Sequence, residues 1–311
     1  CNHYLFQELR NKSGFFFLKK NKVVDFSYYL FSKLYGFYQK RHLFLKFGHN
    51  IKYSDSPIKK PNLESLEGKR LLKKLNLKIT DKWICIYNRD KNYLQKHLGK
   101  KIDHHDYRNF EIDDYIKAID LFTKNGFKVV RVGSHVENKL EINNPNYIDY
   151  SSSDAQNDVN DILIISHSKF FISGGTGIHE IPQLFGIPFA IINQTPLDSF
   201  FVRKFYFPGI FKLYRDKNSG KILSFSDIFS QKLHRITSSK ILDEMKVQVI
   251  NNSKEDILNL AEDILLYLRY GRDFIKSDIK KNENIKNIIK KINKSYFLND
   301  IQNNFLSKLI L

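Results

Sequence analysis

The chain has 311 residues, more than one average domain, so two lobes or one large α/β domain with additions can form. Its hydrophobic content of 42% is ordinary for a globular enzyme, and its longest apolar runs are far too short to cross a bilayer. The formal net charge of +18 comes mostly from lysine and accompanies much Asn and Ile, as an AT-rich coding sequence would produce whatever the function. This charge favours an acidic substrate or a bilayer surface and predicts no specific nucleic-acid partner.

The two cysteines indicate the cellular compartment of the protein, and the first residues indicate where in a longer chain the sequence begins. Cys1 and Cys85 form neither a metal-ligand pattern nor a disulfide framework, which fits a reducing cytoplasm. No signal peptide is visible at the start, and the first residue is Cys rather than Met. We therefore expect a cytoplasmic protein whose sequence begins partway through a longer chain.

The first 80 residues are predicted to be mostly helical. The segment FSYYLFSKLYGFYQKRHLFLKF repeats Tyr and Phe at three- and four-residue spacing with Lys and Arg between them, which is typical of an amphipathic helix. Such a stripe packs in a core or lies on a membrane surface. A loop, SDSPIKKPNL, and a short charged helix, LEGKRLLKKLNL, complete this partial N-terminal region.

From residue 82 onward, short apolar runs alternate with helical segments. Strands are predicted in KWICIYN, FKVVRVG, YIDYS, KFFISGG and IPFAIIN, and helices in IDDYIKAIDLFTKNG, NDVNDILIISHS and GIHEIPQLFG. Parallel neighbours need a crossover connection, usually a helix, so this order predicts a parallel sheet covered on both faces. Residues 82 to about 195 are therefore interpreted as a Rossmann-like α/β lobe.

Two further elements and a tail follow this lobe. LYRDKNSGKILSF predicts a hairpin. VQVINNSKEDILNLAEDILLYL predicts a strand and then a helix that Asn252 or Ser253 caps, with Glu255 and Asp256 in the first turn. The remainder is predicted to be a basic helical tail. The chain is accordingly divided into residues 1–80, 81–270 and 271–311.

The glycine-rich stretch SGGTG ends the fourth predicted strand of the lobe. Ligands of open parallel sheets bind beyond the carboxyl ends of the strands, where glycine lets the backbone approach and a helix N-terminus attracts phosphate. The alternative explanation for the same glycines is close packing of the helix on the strand. Because neither GK[ST] nor an early GxGxxG is present, no nicotinamide or other cofactor is expected. The candidate ligand-binding residues here are Ser173, Gly174, Gly175, Thr176 and Gly177.

Two more loops, NRDKNYL and HHDYRN, are predicted to reach the same edge of the sheet. A guanidinium binds phosphate oxygens bidentately, although an ion pair within the lobe is the alternative for each arginine. The candidate ligand-binding residues of these loops are Arg89, Asp90, Arg108 and Asn109, together with Gly133 and Ser134 of a third loop.

His105 beside Asp106 is a candidate for proton transfer, with a structural histidine as the alternative. Asp149 and Asp154 are candidates for accepting hydrogen bonds from a sugar or ribose hydroxyl, or for capping. A metal cluster at ligand spacing is missing from the sequence.

Together these residues carry a resemblance that covers about residues 82–270. NRD, HDYRN, DYS, FFISGGTGIHEIPQLFGIP and VINNSKEDIL resemble a bacterial family of glycosyltransferases found with surface-polysaccharide genes. More distantly, the same order is similar to the C-terminal lobe of GT-B glycosyltransferases such as the heptosyltransferases. The resemblance implies a metal-independent enzyme that synthesises polysaccharide of the cell envelope. The enzyme would lie in the cytoplasm, in peripheral contact with the inner face of the membrane.

The resemblance also implies roles for the candidate residues. A nucleotide-sugar donor would lie on residues 81–270, and residues 1–80 would be the truncated remainder of a lobe that presents a glycan or lipid-linked acceptor. The glycine turn would surround the diphosphate, Arg89 and Arg108 would neutralise it, and His105 and Asp106 would act as acid and base.

Two other functions remain open at this point. Nucleotide-sugar epimerases resemble GT-B proteins and carry a similar glycine-rich loop followed by Glu, as Glu180 follows here. A non-enzymatic basic module could instead hold RNA or anionic lipid through the Lys-rich ends of the chain.

Overall fold

The computed structural model describes residues 59–91, 103–134, 136, 138–197 and 207–271. The predicted aromatic helix before residue 59 and the predicted basic tail after residue 271 lie outside the described residues. The three-part division of the chain therefore stays a prediction.

The described residues alternate strands and helices as the sequence predicts. The strands are β1 (Trp83–Tyr87), β2 (Lys128–Arg131), β3 (Tyr147–Asp149), β4 (Phe170–Gly174), β5 (Phe189–Ile192), β6 (Leu213–Asp216) and β7 (Val247–Ile250). The α-helices are α1 (Leu66–Lys74), α2 (Ile116–Lys124), α3 (Asp158–His167), α4 (Glu180–Leu184), α5 (Phe225–Ser230), α6 (Ser239–Glu244) and α7 (Lys254–Tyr270).

Five strands form one parallel sheet in the order β3-β2-β1-β4-β5, which confirms the predicted α/β class and parallel sheet. The central strand β1 pairs with β2 and β4, and its residues Ile84, Cys85 and Ile86 are fully buried. The chain moves outward from β1 to β2 and β3 and then returns to β4 on the other side of β1. Connections that leave in opposite directions diverge between β1 and β4, and this divergence opens a crevice at the carboxyl edge.

Helices cover both faces of this sheet. Right-handed crossovers place α2, which follows β1, on one face and α3, which follows β3, on the other. The packing agrees, since α2 lies against α7 while α3 lies against α1 and α4. The Trp83 indole nitrogen donates to the Ile164 carbonyl at 2.9 Å and thereby ties β1 to α3.

The glycine-rich turn leads into a shorter helix than the sequence suggests. A 3₁₀ turn at Gly177–His179 precedes α4, which has five residues. Pro182 is accommodated because it lies in the first turn of α4, where a backbone N–H has no helical partner. So short a helix supplies little dipole to a ligand.

The predicted hairpin forms, and its first strand also pairs with a distant part of the chain. After β6 the chain turns back to an antiparallel bridge between Arg215 and Ile222, and the Leu223 amide donates to the Tyr214 carbonyl at 2.8 Å. The longer partner of β6 is the antiparallel strand β7, which the sequence does not indicate. Ser253 is the N-cap of α7, and its hydroxyl accepts from the Asp256 amide at 3.2 Å. Asn252, the other predicted cap, instead exchanges backbone-to-side-chain hydrogen bonds with Asn193 at 2.6 and 2.7 Å.

Candidate functional site

The loops that leave β1 and β4 start side by side at the carboxyl edge of the sheet. Tyr87 and Ser173 are partners in the register of these two strands. The loop that carries Arg89 and the glycine turn therefore begin next to each other, at the crevice that the strand order creates.

Asn109 joins the two arginine-bearing loops. Its Oδ1 accepts from Arg89 Nε at 3.2 Å, and its Nδ2 donates to Asp106 Oδ1 at 3.0 Å. The Phe110 amide also donates to the Arg89 carbonyl at 3.1 Å. Asn109 thus holds Arg89 against the HDYRN segment, and the structure brings the two arginine-bearing loops together.

Arg108 connects this segment to the glycine turn, because its Nη2 donates to the Gly175 carbonyl. A Cβ at Gly175 would lie 2.1 Å from Gln194 Oε1, and one at Gly174 would lie 2.6 Å from the Phe110 ring. A side chain at either glycine would therefore have to displace its neighbour. A Cβ at Gly177 would meet nothing within 4 Å.

A third cation, Lys212, completes what we call the basic cluster: Arg89, Arg108 and Lys212. Lys212 is 2% exposed, and its Nζ donates to the Asn109 carbonyl at 2.7 Å. Burial first, and then the positive charges of Arg89 and Arg108, lower its pKa to about 7, while the Asp114 carboxylate acts in the opposite direction.

The basic cluster has no direct ion pair within the described part of the chain. Burial first, and then the charge of Arg108, lower the pKa of Arg89. Among the described residues, no carboxylate lies at ion-pair distance from any member of the cluster. The predicted alternative of an ion pair with Asp106 is not what the structure has, since Asp106 binds Asn109. Basic side chains that cluster at a sheet edge without a direct ion pair are suited to an anionic ligand.

Several buried polar atoms at this edge have no hydrogen-bond partner among the described residues. Buried polar groups are normally satisfied, so a group of exceptions indicates a place where a polar ligand or water binds. These atoms are His105 Nδ1, Arg108 Nε, Ser173 Oγ, Thr176 Oγ1 and Gln194 Oε1.

The candidates for proton transfer are both near the basic cluster but do not bind each other. The half-buried His105 ring lies 3.8 Å from the His104 ring, between centroids. Burial first, then the charges of His104, Arg89 and Arg108, lower the pKa of His105. The imidazole is therefore neutral at neutral pH and able to accept a proton.

The remaining predicted residues take more peripheral positions. Asp90 follows Arg89 and is half-buried. Gly133, at φ +134, lies against the Tyr87 ring, and the half-buried Ser134 follows it on the loop after β2. The Thr176 amide donates to His179 Nδ1 at 3.2 Å, so this N–H is already used within the turn.

Asp149 and Asp154 form ion pairs within the protein. Asp149 accepts from the buried Arg131 at 3.1 Å, and the exposed Asp154 accepts from Lys74 at 2.9 Å. Neither capping nor a sugar hydroxyl is needed to explain these carboxylates.

Sequence reasoning missed Lys212 and Gln194, which come from a part of the chain about a hundred residues beyond the first two loops. The Gln194 side chain lies against Gly175, and the Gln194 carbonyl accepts from the Lys212 amide at 3.1 Å. The one available signal was a lysine inside the apolar run FPGIFKLY, since lysine is almost never fully buried without a reason.

Within the described ranges, no group of three His, Cys, Asp or Glu residues is arranged to hold a metal ion. The described helices also include none with the length and apolar content needed to cross a membrane.

Comparisons with known proteins give limited likenesses. No protein-family model matches the sequence, and no curated protein does. One similar solved structure is a dodecameric iron-containing heptosyltransferase, TibC, in complex with ADP-D-beta-D-heptose, with 14% identity and a TM-score of 0.29 over 42% of this chain and 32% of TibC. Another is the wall teichoic acid polymerase TagF, with 14% identity and a TM-score of 0.31 over 74% of this chain and 48% of TagF. The chain thus spans less than half the length of either protein, and scores this low support no functional argument by themselves.

Proposed function

We propose that the α/β lobe binds the diphosphate of a nucleotide sugar and that the protein is a glycosyltransferase of GT-B type. The observation that carries this proposal is the meeting of Arg89, Arg108 and Lys212 with the glycine turn at the crevice between β1 and β4. A diphosphate fits this site because it supplies the negative charge that the basic cluster lacks and acceptor oxygens for the unpaired donors. The sequence resemblance supplies the sugar part of the proposal.

In the proposed reaction, an acceptor hydroxyl attacks the anomeric carbon and the bond from that carbon to the diphosphate oxygen breaks. The electron pair stays on the diphosphate, where Arg89 and Arg108 stabilise the developing charge without a metal ion or other cofactor. The acceptor proton goes to a general base, for which the neutral His105 is the candidate. Asp106 orients Asn109 and, through it, Arg89.

The remaining expectations belong to the same proposal. Residues 81–270 hold the donor, residues 1–80 contribute to the acceptor side, and residues 271–311 form a tail. The acceptor is a glycan or lipid-linked glycan of the bacterial cell envelope. The enzyme works in the cytoplasm and contacts the inner face of the membrane peripherally, where its positive charge attracts anionic lipid.

The donor site is tested by calorimetric titration with UDP, ADP, GDP and CDP and their sugar conjugates. We expect at least one nucleoside diphosphate to bind the wild-type chain and Arg108→Ala to lose that binding. Arg70→Ala is the matched control, because Arg70 is an exposed arginine on α1, outside the site. If no nucleotide binds, or Arg108→Ala binds as tightly as wild type, the diphosphate site is wrong.

The reaction is tested by product analysis with a radiolabelled nucleotide sugar. Transfer needs an added acceptor, whereas an epimerase converts one nucleotide sugar into another without one. Glu180, which motivates the epimerase alternative, contacts His179 at 3.2 Å beside the turn. Interconversion of the labelled donor without any acceptor would replace transfer by epimerisation.

A further inference from the structure

Lys212 contacts both halves of the proposed donor site from a distant part of the chain. Its Nζ donates to the carbonyl of Asn109, the residue that also holds Arg89. Its backbone amide donates to the carbonyl of Gln194, whose side chain lies against Gly175. The residue thus joins the arginine-bearing loops to the glycine turn, and it is itself only 2% exposed.

Burial favours the neutral form of this amine in the free protein, and the nearby charges act in both directions. Arg89 and Arg108 face it with positive charge, and Asp114 alone faces it with negative charge. Asp114 favours the charged form of Lys212; burial raises the pKa of its own carboxyl and the charge of Lys254 lowers it. A buried ammonium beside two guanidiniums is destabilised by desolvation and by repulsion.

We propose that Lys212 is the third cation of the donor site and that it takes up a proton from solvent when a diphosphate binds. The inference rests on the proposed function, because it requires an anionic ligand beside Arg89 and Arg108. The bound phosphates offset the two guanidinium charges and so remove the repulsion that opposes the ammonium. The incoming proton bonds to the Nζ lone pair, and the hydrogen bond to the Asn109 carbonyl is kept.

Proton uptake makes binding depend on pH in a defined direction. Below a pKa of about 7 the amine is already charged in the free protein, so binding takes up no proton. Above it, each bound ligand draws a proton onto Lys212, and affinity falls as pH rises, by up to about tenfold per pH unit.

The test is calorimetry of UDP binding at about pH 8, where the phosphates of UDP are fully ionised and contribute no proton of their own. The binding enthalpy is measured in buffers with different enthalpies of ionisation, and the slope gives the number of protons taken up. We expect a value close to one for wild type and close to zero for Lys212→Met and Lys212→Arg. Lys221→Met, which changes an exposed lysine on the turn after β6, is expected to match wild type.

His105 is the other group near the cluster that could take up a proton, so His105→Gln is measured in parallel and is expected to keep the uptake. If Lys212→Met fails to fold, wild type with ¹³C-labelled lysine gives the same information, because one Cε signal should titrate near neutral pH and shift its titration to higher pH with UDP.

The outcomes separate the two proposals. UDP binding without proton uptake, or uptake that persists in Lys212→Arg or disappears in His105→Gln, overturns the role of Lys212 and leaves the donor site standing. If neither UDP nor any other nucleotide of the panel binds, the proposed function fails and this inference fails with it.

Discussion

Asn109 gives the candidate site its geometry, because every polar atom of its side chain and its carbonyl is engaged by a neighbouring side chain. Its amide group binds Arg89 and Asp106, and its carbonyl binds Lys212. An aspartate here could accept from Arg89 but could not donate to Asp106. The amide therefore holds a cation and a carboxylate at fixed places without adding charge to the site.

Gly175 is the residue at which the turn tolerates least change. A Cβ there would lie 2.1 Å from Oε1 of the buried Gln194, whose Nε2 donates to the Pro196 carbonyl at 3.2 Å. We expect Gly175→Ala to lower the free energy of unfolding by about 1–3 kcal/mol, since Gln194 must move. Gly177→Ala, with open space around its Cβ, should change it by less than about 0.5 kcal/mol. Urea denaturation measures both, and equal effects would contradict the close packing of the turn.

Lys212 should make folding stability depend on pH even without a ligand. Its folded pKa of about 7 lies below the ordinary value of 10.5, so between these two values the unfolded chain binds a proton that the folded chain lacks. The free energy of unfolding should therefore rise with pH across this window, by up to about 1.4 kcal/mol per pH unit. The measurement is urea denaturation at several pH values, taken as the difference between wild type and Lys212→Met. Lys221→Met should keep the wild-type slope, and a Lys212→Met variant with that same slope would show that the lysine is charged in the fold.

At the scale of elements, a buried ionic network fixes the ends of β1 and β2 beneath the site. Arg131 is fully buried at the end of β2, and its guanidinium donates to Asp149 of β3 and to Asn88 Oδ1 at 3.0 Å. Asn88 directly precedes Arg89, and its Nδ2 donates to the Phe110 carbonyl at 3.2 Å. Arg131 therefore positions the first residue of the loop that carries Arg89.

Removing this buried cation should have a much larger effect than removing a surface one. Arg131→Met leaves Asp149 and Asn88 without their partner, and we expect a loss of about 3–5 kcal/mol in the free energy of unfolding. Lys74→Met breaks the exposed pair with Asp154 and should lose less than about 1 kcal/mol. Chemical denaturation compares the two. Hydrogen exchange at residues 88–91 should also quicken in Arg131→Met, and unchanged exchange there would refute its positioning role.

The sequence predicts the elements of the parallel sheet well. Each buried strand is a short apolar run, and each crossover helix repeats its apolar residues at helical spacing. It misjudges pairings that depend on distant residues. Nothing near LYRDKNSGKILSF indicates that β6 pairs with Val247–Ile250. Nothing near Asn252 indicates that it binds Asn193 rather than capping α7. Arg89, Arg108 and the glycine turn were found because strand ends converge by topology, whereas Lys212 reaches them only through tertiary packing.

At the scale of the whole molecule, the strand order of the parallel sheet determines which loops lie side by side at its carboxyl edge. The order β3-β2-β1-β4-β5 puts the β1 and β4 loops at one crevice, although their first residues, Asn88 and Gly175, are far apart in the chain. The loop after β2 packs on the neighbouring strand β1 instead, as Gly133 does against the Tyr87 ring. The position of the basic cluster at the crevice is therefore a property of the fold as much as of the loops.

The net charge of +18 offers a last test of what the molecule recognises, since a general attraction to polyanions and a specific diphosphate site respond differently to salt. A module that makes six to ten phosphate contacts to RNA loses roughly a thousandfold or more in affinity between about 50 and 200 mM salt. Binding of UDP to a half-buried cluster involves few charges and weak screening, so we expect a loss of affinity of about tenfold or less.

Titration of UDP and of a single-stranded RNA over this salt range, with wild type and Gly175→Val, distinguishes a specific diphosphate site from a general attraction to polyanions. Gly175→Val should abolish UDP binding and leave the RNA curve unchanged, because the substitution displaces Gln194 without altering charge. A steep salt dependence for UDP that is the same in both proteins would instead mean that surface lysines, and not the crevice between β1 and β4, hold the anion.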